Sequence, residues 1–105
     1  MNELSMVYIT VPDLAEAERI AGYLVERRLA ACVNIFDNVK SVYRWKGNVE
    51  RSTEAVLIAK TREGLSEQLL ETVKSIHSYA CPCIEVIKVT NAHKGYLEWV
   101  MSETI

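Results

Sequence analysis

The chain has 105 residues and a formal charge of −2, from 12 basic and 14 acidic side chains. Half of its residues are hydrophobic and a quarter are charged, which is typical of a globular domain, so residues 1–105 are predicted to form one unit. Proteins that bind nucleic acid or anionic membranes usually carry a basic excess, so neither partner is expected. An apolar run such as Ala55–Ala59 is far shorter than the ~20 residues of a membrane span.

The cysteine content predicts a cellular compartment. The chain has three cysteines, an odd number, and its first residues lack a basic segment followed by an apolar stretch. We therefore expect free thiols in a reducing cytoplasm.

The first part of the chain predicts a strand followed by a helix. Met6–Val11 is β-branched and aromatic and stops at Pro12, which is typical of a buried strand. Asp13 is predicted to cap a helix over Leu14–Arg28, with Glu16 completing an arrangement like a capping box.

A long hairpin is predicted next. The odd positions of Val33–Lys46 form a mostly apolar face at period two, Gly47 and Asn48 signal a tight turn, and Val49–Lys60 resumes as a strand. A continuous strand over Val33–Lys46 would span about 45 Å, whereas a domain of this size is about 34 Å across. The hairpin tip is therefore expected to extend beyond the core.

The projecting tip suggests self-association. It carries Tyr43 and Trp45, so it would leave apolar surface and unpaired backbone groups in water. Pairing with another copy would cover both. The alternative is a bulge near Asp37 and Asn38 that bends the strand back over its own core.

The second part of the chain completes the fold. Thr61 is predicted to cap a second helix, and Tyr79–Pro82 to end it, because the residue before a proline disfavours helical dihedrals. Ile84–Val89 is predicted as the last strand, and Asn91–Gly95 as the turn into a short terminal helix. The order predicts an α+β fold, a ferredoxin-like βαββαβ sandwich with a long hairpin between its second and third strands and an extra C-terminal helix.

The patterns of common enzymes and nucleic-acid binders of this size are missing from the sequence. It has no Gly-rich phosphate loop and no nucleophile elbow, so catalysis is not expected. Val49–Lys60 has no aromatic residue of the kind that stacks RNA bases on the third strand of RNA-recognition domains.

Residues with coordinating side chains cluster after the second helix, at His77, Cys81 and Cys83. In an extended chain, residues 81 and 83 point to the same side, and two thiols beside an imidazole suit Cu(I) or Zn(II). Simple packing of small thiols and a histidine stabilised by the helix C-terminus explain the same residues. Cys32 is predicted to pack in the fold, and His93 to be a solvated turn residue.

Four blocks of the sequence together resemble a known family. They are Leu29–Asn34, Ser41–Gly47, Glu54 with Lys60–Thr61, and His77–Pro82. In this order they are similar to the signature blocks of the CutA family, and the resemblance runs from the first strand to the terminal helix. It implies a ferredoxin-like subunit, a homotrimer joined through the long hairpins, a role in divalent-cation (copper) tolerance and metal-ion response, and no catalysis or required cofactor.

The resemblance implies a metal site only in part. Some relatives have a cysteine in the first strand and two adjacent histidines after the second helix as proposed copper ligands. In this chain the strand position is Ile9, and the first histidine position is Ile76, which is followed by His77. The remaining candidates for weak binding of copper, as Cu(I) or Cu(II), or of zinc are His77, Cys81 and Cys83.

A second function stays open beside metal binding. PII signalling proteins share the subunit fold and bind small molecules in clefts between subunits, but they use a long mobile loop where this chain has the tight turn Trp45–Val49. A cleft lined by Tyr43, Trp45 and Tyr79 could still accept a small ligand, in a sensor or signalling scaffold.

Overall fold

The computed structural model describes residues 3–105. The strands are β1 (Leu4–Val11), β2 (Cys32–Trp45), β3 (Asn48–Arg62) and β4 (Ile84–Val89), and the helices are α1 (Leu14–Glu26), α2 (Ser66–Ile76) and α3 (Lys94–Glu103). The strands form one antiparallel sheet in the order β2-β3-β1-β4, which confirms the predicted α+β ferredoxin-like sandwich with its additional C-terminal helix. Within this range, no helix has the length and apolar character needed to cross a bilayer.

The hydrophobic core lies on one side of the sheet, between the central strands and helices α1 and α2. Because side chains alternate along a strand, the odd-numbered residues of β1 and β3 share this side. The most deeply buried side chains of the core are Val7, Ile9, Val11, Ile20, Leu24, Leu57, Leu69 and Val73. The even-numbered residues of the same strands, including Tyr8, Thr10 and Glu54, consequently lie on the opposite side.

Helix α1 begins as the sequence predicts and ends slightly earlier. The Oδ1 atom of Asp13 accepts a hydrogen bond from the Glu16 amide at 2.9 Å, which confirms the predicted N-cap. The helix ends at Glu26 because Arg28 adopts a left-handed conformation, with φ 59°. The Arg28 guanidinium donates hydrogen bonds to the carbonyls of Ser102 and Glu103, so it ties the end of α1 to the C-terminus.

The predicted cap of the second helix is wrong. Thr61 lies in β3, where it pairs with Ser5, and its buried hydroxyl donates a hydrogen bond to the Leu29 carbonyl at 2.7 Å. A β-branched residue suits a strand, and this buried carbonyl gives the hydroxyl a partner there. A short 3-10 turn, Glu63–Leu65, then leads into α2, which has no side-chain cap.

The hairpin of β2 and β3 extends beyond the rest of the sheet. Lys46 and Gly47 alone join the two strands, with φ angles of 50° and 84°. Residues 48–54 of β3 pair only with β2, whereas the residues from Ala55 onward also pair with β1. The tip of the hairpin therefore lies outside the layered core. The molecule measures 44 × 26 × 22 Å, in agreement with the predicted projection of the hairpin.

A β-bulge divides β2 into two parts. Phe36 pairs with Val56 but Val39 pairs with Glu54, so β2 carries one extra residue at this point, and Asn38 has φ 59°. The bulge reverses the alternation, and the predicted single apolar face is therefore wrong. Val33 and Ile35 pack against the core, whereas the odd residues after the bulge lie on the other side. The bulge occurs where the alternative reading of the sequence placed it, but the strand continues outward.

Candidate functional site

Two adjoining cavities lie where the hairpin leaves the sheet and the segment after α2 passes beside it. The first has a volume of about 280 Å³ and brings together Tyr43, Trp45 and Tyr79, the three residues that the sequence analysis assigned to a cleft. Ala80 and Cys81 complete its lining. The hairpin tip and the segment from residue 79 to residue 81 therefore form one aromatic depression.

The second cavity is wider and continues from the first across the side of the sheet opposite α1 and α2. Its volume is about 530 Å³, and it shares Tyr43, Tyr79 and Cys81 with the first cavity. Further inward it is lined by Tyr8 and Glu54. The two cavities thus join an aromatic surface to a polar floor on β1 and β3.

His77 fixes the segment after α2 to the first strand. Its side chain is fully buried, and its Nε2 atom lies 2.7 Å from the Thr10 carbonyl oxygen. Because a carbonyl only accepts, we assign the ring proton to Nε2. The Nδ1 atom then accepts a hydrogen bond from the Tyr79 amide at 3.0 Å. Both ring nitrogens are therefore occupied by the backbone.

Glu16 reinforces this arrangement from helix α1. Its Oε2 atom accepts hydrogen bonds from the amide and hydroxyl of Ser78 at 3.1 and 3.0 Å. The same oxygen lies 3.6 Å from Nδ1 of His77. The residues that follow α2 are thus held by α1 and β1 together, which positions Tyr79 beside the hairpin.

The two thiols of the predicted metal cluster lie on the cavity side. Cys81 is exposed and Cys83 is half-buried, and both line the wider cavity. Burial raises the pKa of the Cys83 thiol, and the negative charge of Glu85, whose Oε1 lies 3.6 Å from the sulfur, raises it further. The protonated thiol of Cys83 is therefore favoured at neutral pH.

The three predicted ligands do not form one metal-binding group in this chain. Over residues 3–105, no three His, Cys, Asp or Glu side chains are arranged to hold a metal ion. The physical reason is the hydrogen bonding of His77, because the Thr10 carbonyl and the Tyr79 amide occupy the nitrogens that a metal would need.

Cys32 and His93 lie away from the cavities. Cys32 is half-buried at the start of β2 and lies beside Tyr96 of α3, in agreement with a packing role. Burial raises the pKa of the Tyr96 phenol, with a smaller contribution from Cys32. His93 is exposed, as predicted, and its Nδ1 atom also caps α3 by accepting a hydrogen bond from the Tyr96 amide at 3.2 Å.

Glu54 is a site residue that the sequence analysis did not assign. Its side chain lies on the floor of the wider cavity, the residue is only 8% exposed, and its Oε2 atom accepts a hydrogen bond from the Tyr79 hydroxyl at 2.8 Å. Burial raises the pKa of the Tyr79 phenol, and the hydrogen bond to Glu54 and its negative charge raise it further. The sequence contains one signal for this role, because Glu54 is a charged residue directly before the apolar centre of a predicted strand.

Comparison with known proteins identifies the family. Residues 5–103 match the model of the family described as CutA1 divalent ion tolerance protein. The chain belongs to this family. The match confirms the resemblance seen in the four sequence blocks, and it places the protein among divalent-cation tolerance proteins.

Individual relatives support the assignment. The chain is 46% identical to the divalent-cation tolerance protein CutA of Archaeoglobus fulgidus, over 96% of this chain and 97% of the relative. It is 41% identical to the chloroplastic CutA 1 protein of Oryza sativa over 94% of its own length, but it spans only 56% of that relative. The crystal structure of CutA1 from Ehrlichia chaffeensis superposes with a TM-score of 0.95 at 37% identity, covering 100% of this chain and 98% of the other.

Proposed function

We propose that this CutA1 family member is a homotrimeric, non-enzymatic protein of the cytoplasm, which responds to metal ions by binding them weakly. The observation that carries the trimer is the projecting hairpin, because at its tip β2 and β3 pair only with each other. Val42, Tyr43, Trp45 and Val49 are all exposed on this tip. By the register of the hairpin, these side chains lie on both of its faces, and apolar surface exposed on a projecting ribbon is typical of a protein interface.

The edges of the sheet support the same proposal. Strands β2 and β4 are the outer strands, and each offers unpaired backbone groups to a neighbouring strand. Phe36 is exposed on β2, and Val86 and Ile87 are exposed on β4. Edge-to-edge pairing of copies would cover these side chains and the hairpin tips together.

Sedimentation equilibrium tests the assembly, and we expect three times the 11.9 kDa mass of the chain. Trp45→Ala should weaken association, because Trp45 lies on the hairpin tip. Trp99→Ala is the matched control, since Trp99 on α3 is 42% exposed against 47% for Trp45. A monomeric wild-type protein at micromolar concentration would refute the trimer, and equal effects of the two variants would refute the role of the hairpin.

Metal binding in this proposal depends on the thiols of Cys81 and Cys83. Both line the wider cavity, and thiolates favour copper, above all Cu(I), and zinc over hard cations. The buried ring of His77 supports the segment that carries them, and its nitrogens are engaged by the backbone, so His77 is not a ligand in this proposal. Two ligands from one chain, one of them a thiol with a raised pKa, agree with weak binding.

A Cu(I) titration of the reduced protein tests this part. Cys81→Ser together with Cys83→Ser should lower the affinity for Cu(I) at least tenfold. Cys32→Ser is the matched control, because Cys32 lies beside α3 and should leave the affinity unchanged. Equal affinities for all three proteins would show that the two thiols only pack.

The second candidate function is a small-molecule sensor or signalling scaffold, and the aromatic depression of Tyr43, Trp45 and Tyr79 supports it. Clefts lined by aromatic groups with a few polar groups are typical ligand sites. The two-residue turn at Lys46 and Gly47 replaces the long loop of the PII nucleotide sensors, so a ligand of a different class is favoured.

A further inference from the structure

The carboxylate of Glu54 lies in the cavity floor and has no cationic partner among residues 3–105. Glutamate is rarely buried to this extent unless it is paired, because removing a charge from water is costly. In the described residues, Lys88 forms an ion pair with Glu63, and Glu16 lies beside the imidazole of His77; Glu54 takes part in neither contact. The hydroxyl of Tyr79 gives it one hydrogen bond.

The basic residue among those that line this cavity directs its side chain elsewhere. Lys40 also lines the wider cavity, but its Nζ atom donates hydrogen bonds to Asn38 and Thr53 at 3.1 and 2.9 Å. The negative charge of Glu54 therefore lies in a cavity of about 530 Å³ whose own lysine is directed to other acceptors.

The walls around Glu54 are suited to a positive charge. Tyr8, Tyr43 and Tyr79 line the same cavity. The faces of aromatic rings attract ammonium and guanidinium groups, and the attraction is stronger where water is excluded. A bare metal ion is a poorer match, because the described residues offer no group of three coordinating side chains.

We propose that this cavity binds the ammonium or guanidinium group of an organic cation, with the charge on Glu54 and the apolar part against Tyr43, Tyr79 and Trp45. The cation is either a free small molecule or the lysine or arginine side chain of another copy of this chain. The inference rests on the small-molecule function proposed above for this cleft and names its ligand class, and it depends on Glu54 and not on the two thiols that line the same cavity.

Calorimetric titration with benzylammonium, with benzyl alcohol as the neutral probe of the same shape, tests the charge. Wild-type protein should bind benzylammonium at least tenfold more tightly than benzyl alcohol. Glu54→Gln retains an acceptor for Tyr79 and removes the charge, so it should abolish this preference. Glu50→Gln, an exposed position on the same side of β3, is the matched control and should keep it.

Sedimentation of the same variants separates the two sources of the cation. A side chain from another copy would block benzylammonium, and Glu54→Gln would then weaken association at least tenfold while Glu50→Gln would not. Tyr43→Leu provides a second variant if Glu54→Gln does not fold, and it should reduce the binding of benzylammonium or the association in the same way.

Two results would overturn the inference. The first is benzylammonium binding to the wild-type protein that Glu54→Gln leaves unchanged or that benzyl alcohol equals in affinity. The second is the absence of any effect of Glu54→Gln on both ligand binding and association. The mass of the wild-type protein tests the trimer by itself. A trimer in which Glu54→Gln changes neither benzylammonium binding nor association would therefore refute the cation site alone.

Discussion

Replacement of Tyr79 by Phe should destabilise the protein through Glu54. The change removes one oxygen and leaves the ring, which packs 4.9 Å from the imidazole of His77. The hydroxyl that is lost donates to a glutamate that is only 8% exposed, so water replaces the donor poorly. A hydrogen bond to a charged group contributes about 1.5–3 kcal/mol, and we expect the free energy of unfolding to fall by an amount in this range.

Urea unfolding at one fixed protein concentration measures the loss, because association adds a dependence on concentration. Tyr8→Phe is the matched control, since Tyr8 lines the same cavity and its hydroxyl makes no hydrogen bond within the described residues. We expect a change of no more than about 0.5 kcal/mol for Tyr8→Phe, as is usual away from such features.

A double-mutant cycle of Tyr79→Phe with Glu54→Gln assigns the loss to the pair. The combined variant should lose less than the sum of the two single variants, because each single change removes the same charged hydrogen bond. Equal losses for Tyr79→Phe and Tyr8→Phe, or strict additivity in the cycle, would refute the argument that the Tyr79 hydroxyl stabilises a buried charge.

Three further substitutions and one alkylation experiment test other parts of the molecule. Gly47→Val should lower the free energy of unfolding by about 1–2 kcal/mol, because Gly47 has φ 84°. Gly22→Ala should raise the free energy of unfolding by about 0.4–1 kcal/mol, because Gly22 lies in α1 with open space around it. Urea unfolding measures both changes. Thr61→Val should cost about 1 kcal/mol in the same assay, since it removes the donor to the buried Leu29 carbonyl, and a neutral result would contradict this role. In a variant that carries Cys32→Ser and Cys81→Ser, iodoacetamide should alkylate Cys83 more slowly than free cysteine at pH 8, because the raised pKa of Cys83 lowers its thiolate fraction. The difference in rate should narrow as the pH rises. Equal rates at pH 8 would refute the raised pKa.

Local patterns in the sequence predicted the elements whose contacts are close along the chain. The capping of α1 by Asp13 depends on an amide three residues away, and the tight turn before Asn48 depends on Gly47 and its neighbours. The assignment of Thr61 failed for the opposite reason. Its hydroxyl is satisfied by Leu29, 32 residues earlier in the chain, and no local pattern contains that contact.

Some residues of the candidate site could likewise be predicted from local sequence patterns, and others could not. The aromatic residues of the cleft could be selected from the sequence, because they lie near a hairpin tip and a helix end. The orientation of His77 could not, since its ring nitrogens are occupied by groups that the fold brings to them, above all the carbonyl of Thr10, 67 residues away. Cys81 and Cys83 line one cavity, as their spacing along the chain predicts, whereas the nitrogens of His77 are engaged by the backbone.

The bulge in β2 determines on which side of the sheet the hairpin residues lie. Without the extra residue between Phe36 and Val39, strict alternation would place Tyr43 on the side of Val33 and Ile35, against the helices. With it, Tyr43 pairs opposite Glu50 and shares the side of Glu54. Asn, which tolerates the left-handed conformation better than most residues, occupies the strained position at residue 38, and the carboxylate of Asp37 accepts a hydrogen bond from its amide at 2.7 Å. One added residue therefore preserves the core at the base of β2 and turns the aromatic tip toward the cavity, so the same irregularity that disrupts the sequence pattern builds the candidate site.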